Sequence, residues 1–470
     1  MANKYSSKNP YLFFSHPETV DVREVLPSKL QCRADDASYF LSILLFKTAH
    51  ESVDEDGYAR LNSRVLTQIM DNRSKRAVIE CLIEHRIVEC DNLYIPRKKS
   101  LGFRLHSRFG NDRVTVTKAT DRRIIKQLEK FALKRLEEEQ KLWLPVHYKL
   151  EKQQSRIAID MDQANEILSR LEPSAPNAKN IEKVRRNTRL SQSYLCKNIS
   201  NGTHSFHVGT TRRVFNCVTS LSRPLRPALR FGGEPLESID IKNSQPALLA
   251  KLAKDNWSKE NKSQNRNKDQ RQGNQERDEQ EGEKQEQENL YDVHLPPDLQ
   301  RYFRETAEGT FYAGLHDMIQ IEGRLIPLAT VKKKFLTDVL AKKRWCLTNS
   351  GRRMKRDYAS LIENVFRLSY PTIGEFILAT NQEMFEDEFS DWNQHSNLIR
   401  MLQTAEAELV IEDAAVRALE HPSSPLVLTC HDAFFCGAGE AELITEILLQ
   451  AARDQGYQIS LKHDRFGDVG

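Results

Sequence analysis

Apolar and polar positions along this chain fall into blocks whose period changes from helical to strand-like and back. Tyr39, Leu41, Ile43, Leu44 and Leu45 predict a helix, and Gly57-Tyr58-Ala59-Arg60-Leu61 predicts a short strand. Asn62 or Ser63 is placed to cap a second helix containing Val65, Leu66 and Ile69. Ser74 is placed to cap a third, with Ala77, Val78, Cys81 and Leu82 on one face. Ile87-Val88-Glu89-Cys90 and Leu93-Tyr94-Ile95 flank Asp91-Asn92 and predict a hairpin. Residues 1–35 carry no such periodicity and predict a mobile arm. Ile125, Leu128, Ala132 and Leu136 predict a long helix over 122–144, and Asp160-Met161-Asp162 reads as a helix cap.

Two later stretches combine a buried pattern with carboxylates. In Ser238-Ile239-Asp240-Ile241 an apolar strand ends in one Asp, turns, and enters a helix beginning near Ala247-Leu248-Leu249. In Leu426-Val427-Leu428-Thr429-Cys430-His431-Asp432-Ala433-Phe434-Phe435 a hairpin is predicted with His-Asp at its tip. An isolated buried charge is costly, and a metal ion is one partner that offsets it. Two such carboxylates fit the two-metal arrangement used for phosphoryl transfer. Over 328–343, Lys332, Leu336 and Leu340 are four apart on a predicted helix, with Val331, Phe335 and Val339 beside them. Tyr370-Pro371 marks a helix boundary. A further helix carries Leu402, Ala405, Leu409 and Val416 along one side, with Glu406 and Glu408 as secondary metal candidates. Ile459-Ser460-Leu461 reads as a closing strand. From 259 to 289 no apolar side chain of any size occurs, which predicts a disordered insertion.

The chain has 470 residues, enough for two or three domains. No apolar run approaches the ~20 residues of a membrane span, and no signal-peptide core follows the first residues. The eight cysteines form no CxxC pair. That spacing argues against a disulfide framework or zinc cluster and points to a reducing cytoplasm. Net charge is only +4, so nucleic-acid contact must come from local patches. Thr211-Arg212-Arg213 and Leu225-Arg226-Pro227 supply guanidinium forks suited to phosphate oxygens.

Asp240 through Leu252 resembles motif A of family A DNA polymerases and of the related phage-type single-subunit RNA polymerases, and His431-Asp432 resembles their motif C. The resemblance covers 203–466. It implies an α+β right-hand polymerase with an antiparallel palm sheet and helical fingers. Asp240 and Asp432 would be catalytic, holding two Mg²⁺ ions with the Ile241 carbonyl as a further ligand; Mn²⁺ is the substitute metal. Lys332 is similar to the fingers lysine that holds nucleotide phosphates, with Lys333 and Lys334 as competing choices and Arg324 as the preceding Arg. Arg212, Arg213, Arg226, Gln403 and His431 would meet primer–template. Gln245 stands where the DNA enzymes place a sugar-selecting Glu, whereas Ala433-Phe434 is closer to the RNA form.

The N-terminal order of helix, strand, two helices and hairpin resembles a winged helix over 36–110. Arg73, Lys75 and Arg76 would open its recognition helix, and Arg97, Lys98 and Lys99 would lie at its wing. Residues 111–200 then form a helical, thumb-like linker, and 201–470 the palm and fingers. The expected activity is template-dependent, two-metal nucleotidyl transfer, most simply a DNA polymerase extending a primer with nucleoside triphosphates. The alternatives are an RNA polymerase or primase-like enzyme acting on RNA or DNA, and a non-catalytic DNA-binding replication initiator.

Overall fold

The computed structural model describes residues 10–50, 53–54, 56–95, 99–171, 189–272, 295–321, 326–342, 345–347, 353–355, 360–382 and 397–466. It is a mixed α+β chain of helices and small sheets that divides into two compact units. Residues 1–238, 418–441 and 464–470 form the first; residues 239–417 and 442–463 form the second. No helix of the described residues is long and apolar enough to cross a membrane.

In the first unit, residues 10–35 are built into the fold, where the sequence predicts a mobile arm. Strand β1 (Phe13–Pro17) buries Phe14, and Val20, Val22 and Leu26 follow it into the core. Its run of consecutive buried residues hides the alternation that marks a half-exposed strand. The predicted helix is Ala34–Ala49, with Phe40, Leu41 and Leu44 wholly buried. Strand β2 (Ala59–Arg60) leads to helix Ser63–Ile69, capped by the Asn62 side chain accepting from the Arg64 amide. Helix Lys75–Glu84 follows, burying Val78 and Leu82.

The predicted pairing of 87–90 with 93–95 is not the one formed. Strand β3 (Val88–Cys90) instead pairs antiparallel with β4 (Gly102–Leu105), giving a sheet of order β2-β4-β3. The reason is Asp91, whose carboxylate accepts from the amides of both Leu93 (3.1 Å) and Gly102 (2.9 Å) and so closes a longer loop. Strand β5 (Val114–Lys118) runs antiparallel to β1, with Phe13 opposite Lys118.

Helix Arg122–Gln140 ends four residues earlier than expected and buries Ile124, Leu128 and Ala132. Asp160 caps helix Met161–Arg170, as predicted, accepting from Asp162 and Gln163 amides. Strand β6 (Ala158–Ile159) joins a three-stranded sheet with two later strands, and β7 (His207–Val208) forms a ribbon with β8 (Val214–Phe215). The partners of β6 are β9 (Leu229–Phe231) and β10 (Glu234–Pro235). Helix Ala34–Ala49 packs on helix Arg189–Asn201. One continuous apolar core runs from Phe14 through Leu128 and Leu225 to Phe435. The predicted boundaries at 35, 110 and 200 therefore cut through a single packed body.

Strand β11 (Glu237–Ile241) enters helix Ser244–Gln272. This helix continues 14 residues into the stretch expected to be disordered, for which Lys, Gln and Arg have adequate helix propensity. Residues 273–294 lie outside the described residues. In the second unit the helix packs on Pro297–Glu308 and Asn397–Ala407. Tyr302, Phe311, Phe335, Phe366 and Tyr370 form an edge-to-face aromatic core, with Tyr302 and Phe311 centroids 5.0 Å apart. Strands β12 (Trp345–Leu347) and β13 (Arg353–Lys355) make a ribbon. Helix Leu361–Ser369 stops at Tyr370, and Pro371 opens the next, as predicted.

Two π-helical segments, Phe335–Leu340 and Glu408–Ala414, shift the side-chain register of their helices. Strands β14 (Leu428–Cys430) and β15 (Ala433–Cys436) pair antiparallel, and β16 (Leu461–Arg465) is the last strand of the chain's described residues. The closing strand begins two residues later than expected.

Candidate active site

The β14–β15 register sets Leu428 opposite Phe435, Thr429 opposite Phe434 and Cys430 opposite Ala433. His431 and Asp432 are therefore the two loop residues, half-exposed above strands that are wholly buried. A two-residue hairpin loop requires positive φ, and His431 adopts +58°. For a non-glycine residue that conformation costs roughly 1–2 kcal/mol, which the packing beneath must hold. Asn216 Nδ2 donates to the Thr429 carbonyl at 2.7 Å, while its oxygen accepts from Val218 and Thr219 amides to cap helix Cys217–Ser220. The Phe215 ring meets His431 edge-on at 6.0 Å. The Arg226 guanidinium lies 5.5 Å from the Phe435 ring centre and 3.6 Å from Cys430 Sγ. The sequence singles out Arg226 and His431 but not Phe215 or Asn216, which the structure places beside them; the Asn216-x-x-Thr219 capping box was the available signal.

In the second unit, Ile239 and Ile241 are buried on one side of β11, and Asp240 is half-exposed between them. The Lys242 amide donates to the Ser460 carbonyl at 2.9 Å, and Asn243 turns the chain with φ +52°. Around this turn, Asn243 Nδ2, Ser244 Oγ, Gln245 Oε1 and Ser460 Oγ are buried without a hydrogen-bond partner among the described residues. Each such group costs about 1–3 kcal/mol when left unmatched, and buried polar groups are otherwise almost always paired. Gly309, at φ +77°, lets the next helix junction approach. A Cβ there would meet Ser460 Oγ at 2.7 Å and Lys242 Cδ at 3.0 Å.

Other predicted residues lie elsewhere. Lys332 is on the exposed side of helix Leu328–Lys334, with its ammonium 5.3 Å from the Tyr312 ring centre. The buried stripe is Val331, Phe335 and Val339, and the π-segment turns Leu340 inward while leaving Leu336 exposed. Lys333 is exposed, and Lys334 pairs with Asp338 at 3.6 Å. Gln403 is half-buried on helix Asn397–Ala407, which packs on the Ser244–Gln272 helix. Glu406 is buried and Glu408 exposed on that helix and its continuation. Arg212, at φ +62°, turns the β7–β8 ribbon, and its carbonyl lies 3.3 Å from His147 Nε2; Arg213 follows it. Arg324 and Lys98 lie outside the described residues.

In the N-terminal part, Arg73 is exposed and Arg76 pairs with Glu80. The Lys75 ammonium, expected to face phosphates, donates instead to Ser63 O, Ser63 Oγ and Thr67 Oγ1, at 3.1, 2.8 and 2.7 Å. It ties two helices together, and burial lowers its pKa. Lys99 is half-buried and bridges backbone to Ile95.

Burial pushes the Cys217 and Cys436 thiols up to about 12, so both carry their protons at neutral pH. Among the described residues no group of three or more His, Cys, Asp or Glu converges. The carboxylates of Asp240 and Asp432 are hard oxygen donors of the kind Mg²⁺ takes, and His431 and Cys430 stand beside Asp432 as nitrogen and sulfur donors.

No family model matches the chain, and no curated protein matches it. Among solved structures, it is similar to the POL domain of Pol1 from M. smegmatis, determined in complex with DNA primer-template and dNTP. Identity is 12%, coverage 73% of each chain and the TM-score 0.29. A likeness at that score is weak, and the reading of the site rests on its own residues.

Proposed function

We propose that the chain is a template-directed nucleotidyltransferase that extends a DNA primer with dNTPs. Asp240 and Asp432 are its metal-binding carboxylates, with the Ile241 carbonyl as a further ligand. The observation that carries this reading is the cluster of buried, unmatched polar atoms at Asn243, Ser244, Gln245 and Ser460, immediately beyond Asp240. Such a turn is suited to a ligand rich in hydroxyl and phosphate groups. Bound Mg²⁺ supplies charge neutralisation for the attacking hydroxyl and the leaving pyrophosphate.

The protein's own part is positioning. Gln245 lies against the nucleotide sugar, and Lys332 with Arg324 draws the triphosphate. His431, fixed by its turn and by Phe215, orients the primer end. Arg212, Arg213, Arg226 and Gln403 hold the primer–template. The 36–110 segment is proposed as a winged helix binding nucleic acid through Arg73, Arg76, Lys98 and Lys99; its helix, strand, helix, helix, strand, strand order supports this.

Primer extension with Mg²⁺ tests the assignment. Asp240→Ala and Asp432→Ala are each expected to abolish extension while leaving melting and DNA affinity unchanged, because a group acting in the transition state affects turnover more than binding. An active Asp432→Ala protein removes that residue from the site. One observation favours a second reading, a non-catalytic DNA-binding scaffold: the Lys332 ammonium is engaged over Tyr312 on an exposed helix side. Inactivity of the wild type on every primed template, with dNTPs and rNTPs, selects the scaffold.

A further inference from the structure

Helix Arg122–Gln140 gives one side to the core and the other to solvent. Ile124, Leu128 and Ala132 are buried, and the Phe131 ring meets Tyr11 at 6.1 Å. On the opposite side Arg122, Lys126, Lys130 and Lys134 stand four residues apart, all exposed. Each four-residue step advances about 6 Å along a helix axis, so the row spans about 18 Å. None of the four makes an ion pair among the described residues. Like charges at this spacing repel and weaken a helix. A face that meets only water avoids this by alternating sign, as Arg135 and Glu139 do at 2.7 Å later in the same helix. Arg122 also stands in the first turn, where peptide dipoles disfavour a cation, and no acidic residue occupies that turn. The unliganded protein gains nothing from this arrangement, and a bound anion relieves it.

The described charges do not cancel. Arg123 is taken up by Asp36 at 2.9 Å and by Asp121 at 3.5 Å. Over 122–134 the exposed carboxylate is Glu129, and Glu137 and Glu138 lie beyond Lys134. Helix Ser63–Ile69 packs against this helix, and Arg123 donates to the Ile69 carbonyl at 2.7 Å. That neighbour carries exposed Arg64 and, just past its end, exposed Arg73, neither in an ion pair among the described residues. The row thus adjoins the segment proposed above to bind nucleic acid.

Its occupant must be anionic and extended. An anionic membrane fits poorly, because an interfacial helix inserts its apolar face and here that face lies in the core. A protein partner is normally met by an apolar or aromatic centre. Leu133, 50% exposed, is the one large apolar side chain this helix exposes. A sugar–phosphate backbone carries its charges in a line and needs no apolar centre. We infer that the exposed side of helix Arg122–Gln140 is a sequence-independent docking surface for a nucleic-acid backbone, with Arg122, Lys126, Lys130 and Lys134 beside phosphates. The inference rests on the nucleic-acid reading above and adds a contact surface outside the 36–110 segment.

The test uses the full chain and a blunt DNA hairpin, with binding followed by fluorescence anisotropy across a salt series. The row variant carries Lys126→Gln, Lys130→Gln and Lys134→Gln; Gln matches Lys in helix propensity, so the helix is kept. The control carries Lys149→Gln, Arg156→Gln and Arg170→Gln. It lowers net charge equally but removes cations already engaged by Glu420, Gln153 and Glu166. The row variant should lose about ten-fold or more in affinity at about 0.1 M salt, and its slope of log K against log salt should fall by about three. Its melting temperature should hold or rise, since like-charge repulsion is removed. The control should keep the wild-type slope. Equal losses in row variant and control overturn the docking surface and leave a net-charge effect. A row variant with the wild-type slope overturns it while leaving the nucleic-acid reading intact. A wild type that does not bind the hairpin overturns both. Wild-type binding to phosphatidylserine vesicles that the row variant loses, with hairpin binding unchanged, reassigns the row to a membrane.

Discussion

The ring of Phe215 stands edge-on to His431, with centroids 6.0 Å apart and planes at 78°. This pair joins the β7–β8 ribbon to the tip of the β14–β15 hairpin across more than two hundred residues of sequence. His431 holds a left-handed backbone that its residue type disfavours, so its side-chain direction depends on such neighbours. An edge-to-face pair contributes about 0.5–1.5 kcal/mol beyond area burial. Phe215→Ala is therefore expected to lower kcat/KM for primer extension by about three- to ten-fold. Because Phe215 is 41% exposed, melting should barely change. Phe215→Tyr should retain activity. Steady-state extension on one primed template checks this, and an unchanged kcat/KM for the Ala variant breaks the link.

Gln245 offers a buried acceptor with no partner just beyond Asp240. If it abuts the sugar of the incoming nucleotide, Gln245→Ala opens space for a 2′ hydroxyl. The rNTP-to-dNTP ratio of kcat/KM should then rise by roughly ten-fold or more, on the scale of discrimination available to one pocket contact. Gln245→Glu should preserve the wild-type ratio. If both activities fall together, Gln245 is a packing residue of the turn.

Arg60 pairs with both Asp54 and Asp91 beneath the β3–β4 loop, and this brace is pH-sensitive in a fixed direction. Desolvation alone raises the Asp54 and Asp91 pKa values. Amide hydrogen bonds, from Tyr58 to Asp54 and from Gly102 and Leu93 to Asp91, together with Arg60, outweigh it and hold both below the ordinary carboxylate value. Folded values below unfolded ones mean the contribution is present above about pH 4 and is lost as pH falls through the folded values. Acidification below that point should loosen the loop first. Arg60→Ala should lower stability at pH 7 and flatten the acid limb, which urea titrations between pH 2 and 7, a span of about five units, would reveal. Parallel acid limbs for variant and wild type would exclude the brace.

Removal of residues 1–110 reads from sequence as the loss of a detachable module. The shared core predicts otherwise. Phe14, Phe40, Leu44 and Phe103 belong to the same cluster as Leu128, Tyr194 and Phe435. Truncation is expected to expose that core and yield an insoluble or molten product, not a folded fragment with weaker DNA affinity. Soluble expression with a cooperative melt would show instead that the remaining chain folds alone. Deletion of 273–289, by contrast, should leave melting and extension intact, since that stretch has no large apolar side chain to contribute to a core.

Local signals determined much of this protein. The helix at Ala34–Ala49, the caps at Asn62 and Asp160, the Tyr370-Pro371 boundary and the His431-Asp432 loop were legible because each depends on residues within a turn or two. The positions of the two Asp-bearing turns were legible for the same reason, since a carboxylate interrupting an apolar strand is a local anomaly. Tertiary structure decided what depends on distant partners. It paired Val88–Cys90 with Gly102–Leu105 because Asp91 found the Gly102 amide eleven residues away. It committed Lys75 to Ser63 and Thr67, turned Lys332 to an exposed helix side beside a π-segment, and drew residues 10–35 into a core they share with Phe435. Periodicity reports which face of an element is apolar. It carries no record of which other element will cover that face, because hydrophobic burial is non-directional and the choice is made only when the whole chain packs.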